Sequence, residues 1–353
     1  MVKTTHKTPN FWTGRERFCS GDRLLLNPYV GCEVACPLCY AANYPFKLFK
    51  EAKNNRLVFC YINLPRDFDL FLKKVNYAFT IYLSPVADPL QPAEKEFGLT
   101  RQIVEVAKRW GLPVSITTRC EVDSFLLSYV DHFQFSLNTL DNRKWRLLSP
   151  NAMELTSYLE QIKEVSRVKP VTLRIDPIIW PYTWNEVDDL IAFAHEADVA
   201  HVTFSILDLP SGGRSFLRGL IGNKVDYYSE FFRGRYQLYE NMRNKLLLEL
   251  WEKTRSLREA GIEIGFCMEK VEGIDANLYF AKLSNSAPLH CDGVKWGVFK
   301  KERDVFRPLV YCSGNCLYCY KASCGLNWLA MRGEGRFLKV SDLKANSEEA
   351  LFN

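Results

Sequence analysis

Three cysteines lie close together near the start of the chain, in the stretch NPYVGCEVACPLCYAANYPF. Cys32, Cys36 and Cys39 follow an apolar run, and their Cys-x3-Cys-x2-Cys spacing places three thiolates on one compact loop. This arrangement suits an iron–sulfur cluster in which one iron has no protein ligand. Zinc is the alternative, although zinc sites usually combine Cys-x2-Cys pairs and close with four ligands. The spacing favours a cluster whose open iron can bind a substrate or cofactor.

A second group of cysteines repeats the spacing near the C-terminus, in CSGNCLYCYKASC. Cys312, Cys316 and Cys319 form the triplet, and Cys291 or Cys324 can supply a fourth thiolate. Four thiolates close a metal site, so this group predicts a second, auxiliary iron–sulfur cluster or a structural zinc. Because it follows the last predicted strand, we assign the chemistry to the first triplet instead.

Short strands rich in β-branched residues alternate with helical patterns along most of the chain. The predicted strands are Arg23–Asn27, Phe79–Leu83, Val114–Thr118, His132–Leu137, Val171–Ile175, His201–Ile206 and Ile262–Phe266. The predicted helices include Thr100–Trp110, Met153–Val168, Trp184–Ala197 and Asp226–Ala260. This alternation predicts an α/β fold of parallel βα units, a full or partial TIM-like barrel, with a doubly wound open sheet as the alternative. In both folds functional residues collect at the carboxyl ends of the strands, and the first triplet follows the first strand.

We expect a further segment on each side of this α/β region. We expect an N-terminal arm over residues 1–20, a core over 21–275 and a C-terminal module over 276–353. The chain has 353 residues, twelve cysteines and a formal net charge of +5, which tolerates a polyanionic partner without requiring one. The first residues lack the apolar run of a signal peptide, and no run reaches the roughly 18 apolar residues of a membrane span. We therefore expect a cytoplasmic protein with reduced thiols and no membrane partner.

The first triplet, in this setting, resembles the radical S-adenosylmethionine superfamily. The segments YLSPVADPLQPAEKEFGLTRQIVEV, VSITTR, FQFSLNT and LRIDPII resemble its spore photoproduct lyase-like branch, which often has a D-P-x-Q-P-x-E segment after the second strand. This resemblance covers about residues 20–210. Proteins similar to this branch end in a comparable cysteine-rich tail, which favours Cys291 over Cys324 as the fourth ligand of the second site.

The resemblance implies a fold, two cofactors and a reaction. The fold is the partial (β/α)6 TIM-like barrel, here with a C-terminal cysteine-rich auxiliary module. Cys32, Cys36 and Cys39 would hold a [4Fe–4S] cluster whose open iron binds the amino and carboxylate groups of S-adenosylmethionine. An electron, delivered by a reductant such as flavodoxin or ferredoxin, would then cleave this cofactor to a 5′-deoxyadenosyl radical.

The branch holds the ribose and methionine parts of S-adenosylmethionine at the ends of its third to fifth strands. The matching residues here are Arg119, Ser136, Asn138, Arg174 and Asp176. The arginine fork can bind a carboxylate through two hydrogen bonds, which suits Arg119 and Arg174 to this role. A salt bridge at the barrel rim is the alternative for the arginines, and a core hydroxyl is the alternative for Ser136.

The spore photoproduct lyase passes a hydrogen atom through a cysteine after the second strand and through tyrosines that flank the third cluster cysteine. Tyr40 keeps the later tyrosine and is a candidate catalytic residue. Leu38 occupies the earlier tyrosine position, and Pro85 stands at about the cysteine position. Proline has no thiol hydrogen, so we do not expect this chain to run the lyase chemistry in its known form.

Three other cysteines are candidate hydrogen donors. Cys60 lies in an apolar run, which is typical of an inert core thiol, and Cys120 follows the third strand. Cys267 ends the late strand GIEIGFC, a setting similar to the neomycin epimerase, a radical enzyme whose donor cysteine also lies far past the cluster. That enzyme returns hydrogen from the thiol to a sugar carbon. For Cys267, ligation of the auxiliary cluster and a core position remain alternatives.

Two substrate classes follow for a radical enzyme. Cys267 favours a small molecule, such as a sugar or natural product, in an epimerase- or dehydratase-like reaction. The resemblance to a DNA-repair branch, the basic loop Pro210–Gly219 and the aromatic-rich helix predicted after Asp226 favour a nucleic acid. The aromatic spacing is also typical of a core-facing helix. A non-catalytic iron–sulfur or zinc protein is a third class, although an open iron would have no use there.

Overall fold

The computed structural model describes residues 2–7, 11, 23–41, 44, 46–210, 212–232, 234–294, 297–309, 316, 318–320 and 342–344. Its strands are β1 (Val2–Thr5), β2 (Leu24–Leu26), β3 (Tyr29–Val30), β4 (Val58–Tyr61), β5 (Tyr77–Phe79), β6 (Ile81–Leu83), β7 (Val114–Thr118), β8 (His132–Ser136), β9 (Val171–Ile178), β10 (His201–Ile206), β11 (Asp208–Leu209), β12 (Tyr228–Phe232), β13 (Arg235–Leu238), β14 (Glu263–Phe266), β15 (Lys270–Val271), β16 (Ile274–Asp275), β17 (Val298–Glu302) and β18 (Val305–Pro308). Its α-helices are α1 (Lys47–Asn55), α2 (Leu64–Lys74), α3 (Pro92–Phe97), α4 (Leu99–Arg109), α5 (Ser124–Tyr129), α6 (Asn142–Leu148), α7 (Leu155–Ser166), α8 (Val187–Glu196), α9 (Arg214–Ile221), α10 (Glu240–Lys253), α11 (Arg255–Glu259) and α12 (Ala276–Leu283).

The central element is a seven-stranded sheet in the order β14-β10-β9-β8-β7-β6-β2. Every neighbouring pair in it is parallel, which confirms the predicted α/β fold. The strands follow one another in chain order, without the reversal of a doubly wound sheet. The predicted strand Phe79–Leu83 is divided, because β5 joins a separate sheet with β17 and β18 while β6 joins the central one.

Alternation along the strands gives the central sheet two different faces. Successive strand residues point to opposite sides, and on one side they are apolar and buried, as Phe133, Phe135 and Leu173 are. The other side, which we call the polar face, carries Ser115, Thr117, His132, Gln134, Thr172, Arg174, His201 and Thr203. These side chains bond to one another, as in the contacts of 3.1 Å from His132 to Ser115 and to Thr172. Such bonds offset the cost of burying polar groups.

The helices that follow the strands are amphipathic and cover the apolar side. Helix α4 buries Leu99, Ile103, Val104 and Ala107. Side chains cap several helix starts, and the Asp123 carboxylate accepts a hydrogen bond of 2.8 Å from the Leu126 backbone N–H. None of the helices in the described ranges is long and apolar enough to cross a membrane.

The single helix predicted over Asp226–Ala260 is wrong in its first part. A 3₁₀ turn at Gly222–Tyr227 leads into the antiparallel hairpin of β12 and β13, and α10 and α11 follow. Gly234 lies between the two strands with φ of +78°, a conformation that favours glycine, and aromatic residues suit strands as well as helices. The predicted loop Pro210–Gly219 is also partly helical, because α9 begins at Arg214.

Part of the predicted C-terminal module crosses the polar face. Residues 290–294, which we call the inserted segment, accept hydrogen bonds from two strands: Thr172 donates to the Asp292 carbonyl at 2.7 Å and Thr203 to the Cys291 carbonyl at 2.6 Å. Arg23, just before β2, forms a buried ion pair with the Asp292 carboxylate at 2.6 Å. The inserted segment therefore bonds to β9 and β10 and, through Arg23, to the start of the edge strand β2.

Candidate functional site

The first cysteine triplet lies on residues 31–40, the cysteine loop, which follows β3. Cys32, Cys36 and Cys39 are all partly exposed. Two tight backbone turns shape the loop, with the Ala35 N–H donating to the Cys32 carbonyl at 3.3 Å and the Cys39 N–H to the Cys36 carbonyl at 3.2 Å. One folded loop therefore presents three thiols, as the spacing predicts.

Gly31 fixes the start of the cysteine loop against the neighbouring backbone. Its φ of +89° lies in the left-handed region, and a Cβ atom there would be 2.2 Å from the Leu57 carbonyl oxygen. Only glycine fits this approach without displacing the loop.

Asp88 joins the cysteine loop to the end of β7. Its backbone N–H points to Cys32 Sγ at 3.4 Å. Its carboxylate accepts hydrogen bonds from Thr118 Oγ1 at 2.8 Å and from the Arg119 N–H at 2.7 Å. Burial raises the pKa of Asp88, and burial followed by the Asp88 charge raises the pKa of Cys32. A thiolate at Cys32 therefore needs a compensating positive centre, which is what a cluster iron supplies.

The rest of the D-P-x-Q-P-x-E segment holds the cysteine loop from the same side. The Glu33 N–H donates to Gln91 Oε1 at 2.8 Å, and Gln91 Nε2 donates to the Gly31 carbonyl at 3.3 Å. The Glu94 carboxylate accepts a hydrogen bond from the Tyr29 hydroxyl, just before the loop. Sequence reasoning used this segment only as a mark of resemblance and missed its role in positioning the cysteines.

Arg119 lies between the cysteine loop and β9. Its Nη1 is 3.8 Å from Cys36 Sγ, and its Nη2 is 3.4 Å from the Asp176 carbonyl. Ser149 Oγ also lies 3.7 Å from Cys36 Sγ. Two polar side chains, Arg119 and Ser149, therefore lie beside the Cys36 sulfur.

Four buried polar atoms without hydrogen-bond partners lie around this loop. In the part of the chain that the structure describes, these atoms include Asn27 Oδ1, Ser84 Oγ, Arg119 Nε and Asn138 Oδ1. Each residue follows the carboxyl end of a strand, and those strands, β2, β6, β7 and β8, are adjacent in the sheet. Ser84 also adopts φ of +59°, which strains a residue other than glycine.

An unsatisfied buried polar group costs about 1–3 kcal/mol, so four at one edge require hydrogen-bond partners there, either water or a polar ligand. The donor and acceptor types fit a cofactor with amino, carboxylate and hydroxyl groups, such as S-adenosylmethionine. The sequence predicted Arg119 and Asn138 here but missed Asn27 and Ser84, whose only signal is their position directly after a strand.

The other predicted cofactor residues lie on β8 and β9. Ser136 pairs with Arg174 in the register of the two strands. Arg174 Nη2 donates to the Asp176 carboxylate at 2.7 Å, and its Nη1 donates to Gln134 Oε1 at 3.1 Å. All five predicted residues therefore collect toward the carboxyl ends of β7, β8 and β9, with Arg174 engaged in a salt bridge.

Cys267 and Cys291 both lie beside the end of β10: the Cys267 N–H donates to the Phe204 carbonyl at 2.9 Å, and the Cys291 carbonyl accepts the Thr203 hydroxyl at 2.6 Å. Cys267 is partly exposed, directly after β14, whereas Cys291 is buried in the inserted segment. The Cys291 thiol, and then the Arg174 charge, lower the pKa of Cys267 to about 7 against the effect of burial. The Cys267 thiol and burial raise the pKa of Cys291 well above its usual value.

Tyr40 and Cys120 are the other two candidate catalytic residues, and neither lies at the end of β14. The Tyr40 hydroxyl donates to the Pro85 carbonyl, and its side chain is half exposed. Tyr40 and Pro85, two of the three positions compared with the lyase relay, are therefore in contact. Cys120 is buried, which raises the pKa of its thiol, and Cys60 is buried in β4.

The second triplet is described only in part, since Cys312 and Cys324 lie outside the described residues. The Cys319 N–H donates to the Cys316 carbonyl at 3.3 Å. Between them, the Tyr318 hydroxyl donates to the Asp275 carboxylate at 3.0 Å, next to α12. In the described residues no three His, Cys, Asp or Glu side chains are arranged around one metal ion. This finding concerns single ions, whereas a [4Fe–4S] cluster binds each thiolate through a different iron.

Local sequence similarity links the chain to curated proteins. The "Radical SAM Nalpha-GlyT isomerase" of Pseudomonas phage M6 is 28% identical over 172 residues, which cover 47% of this chain and 35% of that protein. An uncharacterised protein of Acidianus two-tailed virus is 30% identical over 174 residues, which cover 45% of this chain and 56% of that protein. The chain thus matches roughly a third to just over half of the length of these relatives. No protein-family model matches it.

The fold is similar to that of a solved enzyme. Spore photoproduct lyase complexed with dinucleoside spore photoproduct superposes with a TM-score of 0.55 over 75% of this chain and 82% of that chain. The sequence identity is 11%, so this likeness concerns the fold. The predicted resemblance is confirmed: part of the chain is similar in sequence to a protein named as a radical SAM isomerase, and the fold is similar to that of spore photoproduct lyase.

Proposed function

We propose that the chain is a radical S-adenosylmethionine enzyme with a partial (β/α)6 barrel and a [4Fe–4S] cluster on Cys32, Cys36 and Cys39. The observation that carries the proposal is the three-thiol loop beside four unpartnered buried polar atoms at adjacent strand ends. A loop with three thiolates leaves one iron open, and the polar atoms offer contacts to a cofactor bound there.

Within this proposal the cluster and S-adenosylmethionine supply a 5′-deoxyadenosyl radical, and the chain positions the reacting groups. Asp88 fixes Cys32 relative to β7. Arg119 and Asn138 bind cofactor groups, and Ser136, with the Arg174–Asp176 pair, lines the neighbouring part of the site. Binding and orientation are the protein's usual contributions to cofactor chemistry.

The test is anaerobic reconstitution with iron and sulfide, followed by addition of S-adenosylmethionine and a reductant such as flavodoxin or dithionite. We expect 5′-deoxyadenosine in the products and about eight irons per chain for two [4Fe–4S] clusters, or about four for one. Absence of 5′-deoxyadenosine from a fully reconstituted chain would contradict the proposal.

The second site is proposed as an auxiliary [4Fe–4S] cluster on Cys312, Cys316 and Cys319, with Cys291 as the predicted fourth ligand and Cys324 as the alternative. A structural zinc is the competing assignment. The auxiliary cluster is supported by the repeated cysteine spacing and by the position of the Cys316–Cys319 turn beside α12. Metal analysis of the same reconstituted sample separates iron from zinc.

For the substrate we propose a small molecule, such as a sugar or natural product, with Cys267 as the hydrogen-atom donor of an epimerase-like reaction. Cys267 lies directly after β14, partly exposed and beside Arg174. A relative named as an isomerase agrees with a rearrangement that leaves the substrate's composition unchanged.

Replacing Cys267 with alanine should abolish product formation while S-adenosylmethionine cleavage continues. The substrate radical would still form, but nothing would return hydrogen to it. We expect product to fall below detection while 5′-deoxyadenosine is still formed. Product and 5′-deoxyadenosine are quantified in one reaction, with Cys60→Ala as the matched buried-thiol control. Unchanged product formation would refute the donor role.

A nucleic-acid substrate is the second candidate, favoured by exposed rings on the hairpin of β12 and β13. Phe231 and Phe232 are 44% and 56% exposed, and the Arg235 guanidinium lies 5.4 Å from the Phe231 ring centroid. Exposed rings and a cation can stack on bases and bind phosphate. In contrast, Arg214 and Arg218 of the predicted basic loop both contact the Asp226 carboxylate.

A gel shift on single-stranded DNA and on tRNA tests this class. If nucleic acid is the substrate, binding should appear at about 50 mM salt, weaken as salt rises, and fall when Phe231 and Phe232 are replaced by alanine. Base stacking contributes about 1–3 kcal/mol per base, so the double variant should lose at least ~10-fold in affinity. No binding at low salt would exclude the class.

A further inference from the structure

Cys267 lies on a sharp turn that follows β14. It continues the alternation of that strand by one residue, which places its side chain on the polar face, and its N–H donates to the Phe204 carbonyl at 2.9 Å. The next residue, Met268, is 68% exposed and adopts φ of +59°. Residues other than glycine keep this conformation only where surrounding contacts impose it. Glu269, the third residue of the turn, makes such contacts.

The Glu269 side chain is fully buried and is bound by two neighbouring elements. Its Oε1 accepts the Ile206 N–H at 2.7 Å, at the end of β10, and the Ser205 hydroxyl at 3.3 Å. Arg243 of α10 binds both carboxylate oxygens, with Nε 2.6 Å from Oε2 and Nη2 2.8 Å from Oε1. A two-pronged contact of this kind is charge-assisted and directional, so it fixes the turn against β10 and α10.

Arg243 is itself held by groups other than Glu269. It is buried, its Nη1 donates to Asp208 Oδ1 at 3.0 Å, and its Nη2 donates to the Ile206 carbonyl at 3.2 Å. Asp208 belongs to β11, which pairs with β13 of the hairpin. Arg243 therefore joins three elements at the carboxyl end of β10: helix α10, the small sheet that contains β11, and the turn that carries Cys267.

We propose that Arg243 and Glu269 are positioning residues, which hold the Cys267 thiol in place at the carboxyl end of β14. This inference deepens the proposed function and rests on it. A hydrogen donor acts only on a reacting atom that lies close to it in a suitable orientation, so a thiol on a loosely held turn would serve poorly. An ion pair that only stabilises the chain is the alternative, and it predicts no specific change at Cys267.

Removing only one of the two residues would leave a buried unpaired charge, which is strongly destabilising. The test therefore uses the double variant Arg243→Met with Glu269→Gln, which removes both charges and keeps an acceptor for the Ile206 N–H. Arg243→Lys is made beside it, because lysine keeps the charge but has no fork to bind both oxygens, and it decides the test alone if the double variant does not fold.

The matched control is Asp188→Asn with Lys253→Met. It removes another ion pair of α10, with 2.7 Å between Lys253 Nζ and Asp188 Oδ2, in which the aspartate side chain is 68% exposed. Urea unfolding shows whether each variant is folded under the assay conditions.

The measurement is the anaerobic rate at which pyrene maleimide, a bulky thiol reagent, labels each cysteine of the reconstituted chain, read by peptide mass spectrometry. We expect Cys267 to be labelled at least ~10-fold faster in the double variant, because the turn opens without breaking hydrogen bonds between charged groups. Arg243→Lys should give an intermediate rate. Cys60 and Cys120 should keep their wild-type rates in every variant, and so should Cys267 in the control.

An unchanged rate at Cys267 in a folded variant would overturn the inference. Equal acceleration in the control, or faster labelling of Cys60 and Cys120 as well, would show general loosening and would also overturn it. The 5′-deoxyadenosine yield of the wild type is measured on the same preparation. Its absence would refute the proposed function whatever the labelling shows, so the two failures are distinguishable.

Discussion

Replacing Cys36 with alanine should remove about four iron atoms per chain and abolish cleavage of S-adenosylmethionine. The proposed cluster takes one thiolate from each of three cysteines, so two thiolates would not hold it. Cys36 is also the thiol that Arg119 and Ser149 approach, at 3.8 and 3.7 Å. The variant should therefore lose the cluster together with the contacts that the loop makes around it.

The measurement is an iron and sulfide count with an assay of 5′-deoxyadenosine after reconstitution. Cys60→Ala is the control, because Cys60 is also a cysteine but is fully buried in β4. We expect the control to keep its iron and its cleavage activity. A Cys36→Ala chain that retained both would show that the cleaving cluster is bound elsewhere, with the second triplet as the next candidate.

Replacing Gly31 with alanine should destabilise the chain by about 2–6 kcal/mol. Two costs add in this variant: about 1–3 kcal/mol for the left-handed backbone of a residue other than glycine, and about 1–3 kcal/mol for overpacking. The second cost arises because the new Cβ would lie 2.2 Å from the Leu57 carbonyl oxygen. A shift of the loop to relieve this contact would also displace Cys32, so we expect incomplete cluster loading.

Urea unfolding of the wild type and the variant measures this loss, and Gly273→Ala is the matched control. Gly273 also has a positive φ, of +77°, but a Cβ there would meet nothing within 4 Å. The control should therefore lose only the backbone contribution, about 1–3 kcal/mol. Equal losses in the two variants would show that the contact with Leu57 does not constrain the cysteine loop.

Local sequence patterns were sufficient to locate the seven strands of the central sheet and the three-thiol loop. Val114–Thr118 and His201–Ile206 were predicted at their observed bounds, because their alternation and β-branched residues are properties of neighbouring positions. The helix predicted from Asp226 failed at its start, because aromatic residues suit both a helix and a hairpin, and the pairing of β13 with β11 and β12 is a tertiary contact.

The sequence by itself determined the βα succession, the spacing of Cys32, Cys36 and Cys39, and the resemblance that these carry. Only the tertiary structure decided that Asp88 ties the cysteine loop to β7, that Asn27 and Ser84 lie at the same edge as Arg119, and that Cys291 lies against β10. The physical reason is that spacing along a chain fixes only what neighbouring residues can do together. Contacts between distant segments depend on how the whole chain packs, and here hydrogen bonds from two strands and one ion pair hold the inserted segment, none of which a local pattern encodes.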